Sequence, residues 1–191
     1  MINDIKVQVI LGSTREGRAG EAVARWVLAQ IENRNDFNFE FIDLKDWNLP
    51  LIHDAIPPGA IKDKYSDPLI QKWAEKISEA DAYLIVTPEY NHGYSAVLKN
   101  GLDVIYKEWN NKPIAFVSYG NIAGGSRSVE QLRLVSVELQ MAPIREAVHI
   151  PLIWQAFENN ELKNKLDFDK KLDSMLAQLI WWAKALKSAR L

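Results

Sequence analysis

The residues able to do chemistry fall in three short stretches. The first is Gly12–Gly20, G-S-T-R-E-G-R-A-G, with hydroxyls at Ser13 and Thr14, guanidinium groups at Arg15 and Arg18, and a helical apolar pattern starting behind it. A buried strand, a glycine-rich turn and a helix N-terminus together make an anion site, because the turn's N–H groups and the positive helix end point the same way. Two arginines beside those N–H groups suit a phosphate, held by charge-assisted bonds. The second stretch is Pro88-Glu89-Tyr90-Asn91-His92-Gly93-Tyr94. It pairs no nucleophile with a base, but it offers an aromatic plane, an amide and backbone N–H groups, which suit a flat heteroaromatic ligand. The third is Ser118–Ser126, S-Y-G-N-I-A-G-G-S. Glycines here, lacking a Cβ, let backbone come close to a planar ring.

The first loop admits three functional readings. A phosphate-hydrolysing loop of the form G-x-x-x-x-G-K-[ST] is nearly spelled from Gly12, but Arg18 replaces the lysine and Ala19 the metal-holding hydroxyl. A dinucleotide turn, G-x-G-x-x-G, lacks its second glycine, although Asp43 stands at a suitable distance to bind a ribose. The third is a flavodoxin-like loop, in which hydroxyls, backbone N–H groups and an arginine hold one terminal phosphate. An ordinary strand-to-helix turn with solvated arginines is the plain alternative. Other chemistries find little footing. His53, His92 and His149 are scattered without metal-ligand spacing, and Gly93-Tyr94-Ser95-Ala96 lacks the last glycine of a nucleophile elbow.

The elements that must position these stretches follow from periodicity. Val7–Leu11 reads as a strand buried on both faces, and Gly20–Asn33 as a helix. Phe37–Leu44 alternates and suits a strand nearer an edge. The Pro-rich Lys45–Asp67 is a long loop, of the kind that commonly serves function. Pro68–Ala80 is a helix capped by Asp67. Ala82–Thr87 is a strand, Ser95–Ile105 a helix, Ile114–Ser118 a strand and Val129–Met141 a helix. A short fifth strand falls within Pro143–Ile150. A terminal helix, Asp167–Leu191, carries an apolar stripe through Leu172, Met175, Leu176, Leu179, Ile180, Trp182 and Leu186. One of Trp181 and Trp182 is expected in the core and the other against a partner subunit. Leu98, Leu102 and Ile105 suit either a core or a dimer face.

Alternating strands and helices demand parallel strands joined by right-handed crossovers. The expected architecture is α/β, a flavodoxin-like three-layer sandwich with a five-stranded parallel sheet in the order 2-1-3-4-5. Chain direction reverses between strands 1 and 3, and the loops after strands 1, 3 and 4 meet there, off the carboxyl ends. Those loops are the three chemistry-bearing stretches.

A length of 191 residues suits one domain, 1–191, with a sizeable core. A formal charge of −2 with no dense Lys/Arg cluster argues against nucleic acid and membrane surfaces as partners. The absence of cysteine excludes thiol catalysis, disulfides and Cys-ligated zinc. The opening MINDIKVQVI has no basic n-region, and no segment suits a membrane span, so a cytoplasmic chain is expected.

The motifs G-S-T-R-x-G-R-x-G and T-P-E-Y-N-x-G-Y-S-x-x-L-K-N-G-L-D, over roughly Val7 to Met141, resemble those of the NAD(P)H-dependent FMN reductases, a flavodoxin-like family that includes quinone, azo-dye and chromate reductases. The resemblance implies bound FMN, NADPH or NADH as electron donor, a small-molecule electron acceptor, ping-pong turnover and a homodimer or homotetramer with the flavin near the subunit interface. It implies that Ser13, Arg15 and the backbone of Gly17, Arg18, Ala19 and Gly20 hold the phosphate. Many relatives carry Ser at the place of Arg18. Pro88, Glu89, Tyr90 and Asn91 would line the isoalloxazine, and Ser118, Tyr119, Gly120, Gly124 and Gly125 would flank its pyrimidine side. Tyr90 and His92 are candidates to shape the acceptor pocket, and no side chain is required as catalytic acid or base. The rival class is a flavodoxin-type electron carrier without its own NAD(P)H oxidation. Such carriers are usually strongly acidic and hold phosphate without arginine, unlike this chain. A flavin-free binding domain on the same fold is a third class.

Overall fold

A computed structural model of the chain describes residues 5–32, 34–52, 54–159 and 161–190. Residues 1–4, the expected helix end at Asn33, His53 and Leu191 lie outside the described residues.

Five runs of β-branched and aliphatic residues pair as parallel strands: β1 (Lys6–Leu11), β2 (Asn38–Asp43), β3 (Ala82–Pro88), β4 (Pro113–Tyr119) and β5 (Ala142–Ile150). Their order is β2-β1-β3-β4-β5, the flavodoxin-like order expected. Successive side chains alternate between faces and so feed two cores. Val7, Val9, Leu84, Val86, Val117 and Tyr119 face α1 (Gly20–Ile31) and the terminal α6 (Lys165–Arg190). Ile10, Tyr83, Ile85 and Phe116 face α2 (Pro68–Ser78), α3 (Ala96–Asp103) and α4 (Ser126–Glu138).

Local chemistry sets the helix ends. The Asp67 carboxylate accepts the N–H groups of Leu69 and Ile70 at 2.7 and 3.1 Å, and Pro68 follows it at the first helical position. Ser95 caps α3 by accepting from Leu98 N–H at 3.2 Å. It also donates to the Gly12 carbonyl, tying α3 to the first loop.

Several expectations are corrected. α4 starts and stops three residues earlier than Val129–Met141, because the left-handed Gly125 (φ 88°) turns the chain straight into the helix and the left-handed Gln140 (φ 56°) ends the segment. Neither tryptophan of the Trp181-Trp182 pair enters the core: they are 64% and 38% exposed and pack edge to face at 5.4 Å. The buried stripe of α6 is Leu172, Met175, Leu176, Leu179, Ile180 and Ala183. Adjacent residues lie about 100° apart on a helix, so the stripe that holds Leu179 and Ile180 turns the next two positions outward. Leu98, Leu102 and Ile105 are all core. After β5 come two features the sequence did not announce: the short helix α5 (Ile153–Ala156) and a hairpin of β6 (Phe157–Glu158) with β7 (Glu161–Leu162). Among the described residues, no helix is long and apolar enough to cross a membrane.

Candidate functional site

The three loops meet at the carboxyl rim of β1, β3 and β4 around a cavity of about 460 Å³. Arg15, Arg18 and Ala19 line it from the first loop, Pro88, Glu89, Tyr90 and Asn91 from the second, and Tyr119 and Gly120 from the third. The other expected residues do not line it: Ser13, Gly20, Ser118, Gly124 and Gly125 are buried, and Gly17 is exposed on the first loop. Asn121, Ile153 and Trp154 also line it and were not foreseen. Asn121 lay inside a stretch already singled out. Ile153 and Trp154 follow Pro151 on a four-residue helix, too short to leave any periodicity.

The two arginines are used differently. Arg18 is buried, and its guanidinium is held by the Asp43 carboxylate, by the Ser13 carbonyl and, through Nε, by Glu21 at 3.2 Å. The hydrogen bond to Asp43, opposed by burial, raises its pKa further above the usual guanidinium range. Asp43 also accepts Lys45 N–H at 2.9 Å. It therefore serves as an internal brace at the end of β2, which removes the main support for a ribose-binding dinucleotide turn. Arg15 is exposed and has no carboxylate partner among the described residues. Its guanidinium carbon lies 5.9 Å from the Tyr90 ring centroid and 5.8 Å from that of Trp154.

Tyr119 is the most telling residue. Its ring is buried, yet its hydroxyl makes no hydrogen bond among the described residues. Buried polar groups are normally satisfied. Burial, with the Tyr90 phenol nearby, raises this phenol well above its ordinary range, and the neighbouring Ser13 hydroxyl, Arg18 and Arg15 offset only part of that rise. Any Cβ on Gly20 would collide with this hydroxyl and come within 2.9 Å of Leu11 Cδ1, so only glycine lets the ring lie against the start of α1. No side chain caps that helix end. An unpartnered O–H donor, an uncapped helix N-terminus and an unpaired arginine form one donor set, and it fits a phosphate monoester. Gln8 Oε1 and Ser128 Oγ are also buried without partners, but neither lines the cavity.

The second loop is rigid. Tyr90 and Gly93 exchange backbone hydrogen bonds at 2.9 and 3.0 Å around Asn91 (φ 50°) and His92 (φ 70°), both left-handed, as in a two-residue hairpin of type I′. The Tyr90 hydroxyl lies 2.7 Å from Ser13 Oγ, joining the first two loops. The Glu89 side chain is largely buried, and its carboxylate accepts from the Arg127 guanidinium at 2.8 Å. His92 is exposed and does not line the cavity; its carbonyl accepts from Gln131 at 2.8 Å.

The third loop stands on a buried prop. Ser118 Oγ donates to the Gly124 carbonyl at 2.9 Å and lies 2.7 Å from His149 Nδ1. With the single hydroxyl proton used on Gly124, the His149 Nδ1–H is the donor to Ser118. Burial, with Arg133 nearby, lowers the His149 pKa, favouring the neutral ring in this role. Gly125 sits directly on Ser118, where a Cβ would come within 2.6 Å.

A parallel sheet in this order with a crevice at the strand 1/strand 3 reversal defines a flavodoxin-like fold. Among solved structures, the flavoenzyme NAD(P)H:(acceptor) oxidoreductase FerB of Paracoccus denitrificans superimposes with a TM-score of 0.73 over 95% of this chain and 98% of its own, at 20% identity. At that identity the likeness speaks for the fold. The model of the family of NADPH-dependent FMN reductases matches residues 5–155, and the chain belongs to that family. It is an oxidoreductase with FMN and NAD(P)H as its cofactors. An NAD(P)H-dependent FMN reductase of Schizosaccharomyces pombe is 38% identical over 148 residues, 76% of this chain and 74% of its own length. An NADPH:quinone oxidoreductase of Arabidopsis thaliana is 33% identical over 141 residues, 72% of this chain and 69% of its own.

Proposed function

We propose that the chain is a reductase of a small acceptor (a quinone, a free flavin, an azo compound or a metal oxyanion), drawing electrons from NADPH or NADH through bound FMN by a ping-pong mechanism. The observation that carries this is the buried, unpartnered Tyr119 hydroxyl beside the uncapped start of α1, in the cavity where three loops meet. The quinone reductase among the relatives supports that acceptor class. When bound, FMN supplies hydride acceptance from the nicotinamide and electron delivery to the acceptor, in two separate half-reactions.

In this reading Ser13, Arg15 and the Gly17–Gly20 backbone hold the phosphate, with the Tyr119 hydroxyl as a further donor. Arg18 holds the loop in shape through Asp43 and keeps one face toward the same cavity. Pro88, Glu89, Tyr90 and Asn91 line the isoalloxazine; the Glu89 and Tyr90 N–H groups are spent on the Tyr119 and Gly93 carbonyls, which leaves the Asn91 backbone N–H and amide to stabilise negative charge on it. Tyr119 and Gly120 flank its pyrimidine side, with Ser118, Gly124 and Gly125 supporting that turn from beneath. No side chain is assigned as catalytic acid or base. The protein acts as one domain, 1–191, in the cytoplasm, as a homodimer or homotetramer.

The visible spectrum of the purified protein, before and after anaerobic NADPH, tests this reading. A flavin band that bleaches, followed by recovery on adding a quinone, is the expected result, with parallel double-reciprocal lines in the steady state. A bound flavin that NADPH does not bleach marks an electron carrier instead. Protein that stays colourless after exposure to FMN removes the reading.

A further inference from the structure

Trp154 is 70% exposed, an unusual place for the largest apolar side chain. It is nevertheless held firmly. Leu152 just before it sits in the left-handed region (φ 47°, ψ 49°), which a non-glycine residue adopts only at a cost. Three backbone hydrogen bonds fasten this corner to the third loop: Leu152 N–H to the Asn121 carbonyl at 3.0 Å, Ile153 N–H to the Gly120 carbonyl at 3.0 Å, and Gly120 N–H to the Ile150 carbonyl at 3.2 Å. Ile153 plugs into the core. The strained corner thus places the indole on the cavity lining, with its ring centroid 5.8 Å from the Arg15 guanidinium carbon, which also lies 5.9 Å from the Tyr90 centroid.

Among the described residues Arg15 has no carboxylate to fix it, and a long side chain on a loop loses considerable freedom when a ligand immobilises it. Two aromatic faces supply the constraint that a carboxylate would otherwise give, and they do so without neutralising the charge. We propose that Trp154 is a positioning residue for phosphate recognition: with Tyr90 it pre-aims the Arg15 guanidinium, so that the site favours 5′-phosphorylated flavin over riboflavin. This rests on the reading of the cavity as an FMN site. Trp154 acts through Arg15 and touches the phosphate only by way of it.

The test is titration of the full chain with FMN and with riboflavin, followed by flavin fluorescence, in Trp154→Ala, Trp154→Phe, Arg15→Ala and the double variant Trp154→Ala/Arg15→Ala. Trp154→Ala is expected to weaken FMN binding about 3- to 5-fold, the scale of an exposed cation–π contact, and to leave riboflavin unchanged. Trp154→Phe keeps most of the FMN preference. In the Arg15→Ala background the loss of Trp154 has no further effect on FMN. Equal weakening of FMN and riboflavin by Trp154→Ala would mean that the indole contacts the flavin ring, and overturns the proposal. So does a full independent effect of Trp154→Ala in the absence of Arg15, or an FMN preference untouched by Trp154→Ala. Failure of the unmodified protein to bind FMN at all would instead remove the underlying reading of the cavity.

Discussion

At the amino ends of β1, β3 and β4, buried polar groups answer one another. Lys112 Nζ donates to the Ile77 and Ser78 carbonyls and to the Tyr83 hydroxyl at 3.3, 3.1 and 3.0 Å. Tyr83 donates to the Ile77 carbonyl at 2.9 Å, and Tyr65 donates to the Glu108 carboxylate at 2.8 Å. Asp81 accepts from Lys187, Arg190 and the Lys6 backbone. At the carboxyl ends of the same strands the Tyr119 hydroxyl and the Arg15 guanidinium have no such partners among the described residues. Both rims carry buried or half-buried polar groups on the same scaffold, so polarity alone does not mark the site. What separates them is the satisfaction of donors: the amino rim pairs its donors internally and leaves the Gln8 Oε1 acceptor without a partner among the described residues, whereas the carboxyl rim presents donors that only a ligand or water can complete.

The largest expected effect comes from a residue at the carboxyl rim that behaves like the amino rim. Asp43 supplies two of the hydrogen bonds on the buried Arg18 guanidinium, so Asp43→Ala leaves it with the Ser13 carbonyl and the exposed Glu21 carboxylate and should cost about 3 kcal/mol in urea unfolding. Asp46→Ala, at an exposed position close by, should stay within about 0.5 kcal/mol. A similar small loss for both would show that the buried pair carries little. Next in size is a matched pair of phenol deletions. Tyr83→Phe removes a hydroxyl with three partners, the Ile77 and Glu108 carbonyls and Lys112 Nζ, and should lower stability by about 1–2 kcal/mol, with FMN affinity unchanged. Tyr119→Phe removes a hydroxyl with none. It should leave stability level or slightly higher and weaken FMN binding about fivefold. Reversal of that pattern in the two assays would end the distinction between the rims.

Smaller effects appear as pH dependence. Burial, with Arg190 nearby, lowers the Lys112 pKa to about 8. In the unfolded chain the amine stays protonated up to about pH 10.4, so between these values the unfolded state binds more protons. Stability should therefore rise from pH 8 toward pH 10, by at most about 1 kcal/mol per pH unit, and Lys112→Met should flatten the slope. The smallest effect belongs to Glu40. Burial pushes its pKa up, but hydrogen bonds from Lys76, Lys6 and Gln8 outweigh this and bring it down to about 2. A depressed carboxylate stabilises the fold above its unfolded pKa and loses that contribution as pH falls from about 4.5 to 2. Because the side chain is 30% exposed, Glu40→Gln should remove less than about 1 kcal/mol of this acid sensitivity in Tm measurements.

The fold and the meeting of three loops were legible in the sequence because both rest on local rules. Continuous β-branched runs form buried parallel strands, Asp67-Pro68 starts a helix, and glycine-rich turns sit where strands end. The strand order and the crevice follow from alternating elements and right-handed crossovers. The engagement of Arg18 was not legible, because its partner Asp43 lies 25 residues away on another strand and only the β1–β2 register brings them together. The same holds for Trp154, set at the cavity by hydrogen bonds to the third loop, and for the Trp181-Trp182 pair, whose exposure depends on which stripe of α6 the sheet accepts. Residue types and spacing determined what kind of chemistry the carboxyl rim could hold. Tertiary structure decided which of those residues are used up in holding the protein together and which remain for a ligand, because hydrogen-bond satisfaction depends on distances across the fold and not on neighbours along the chain.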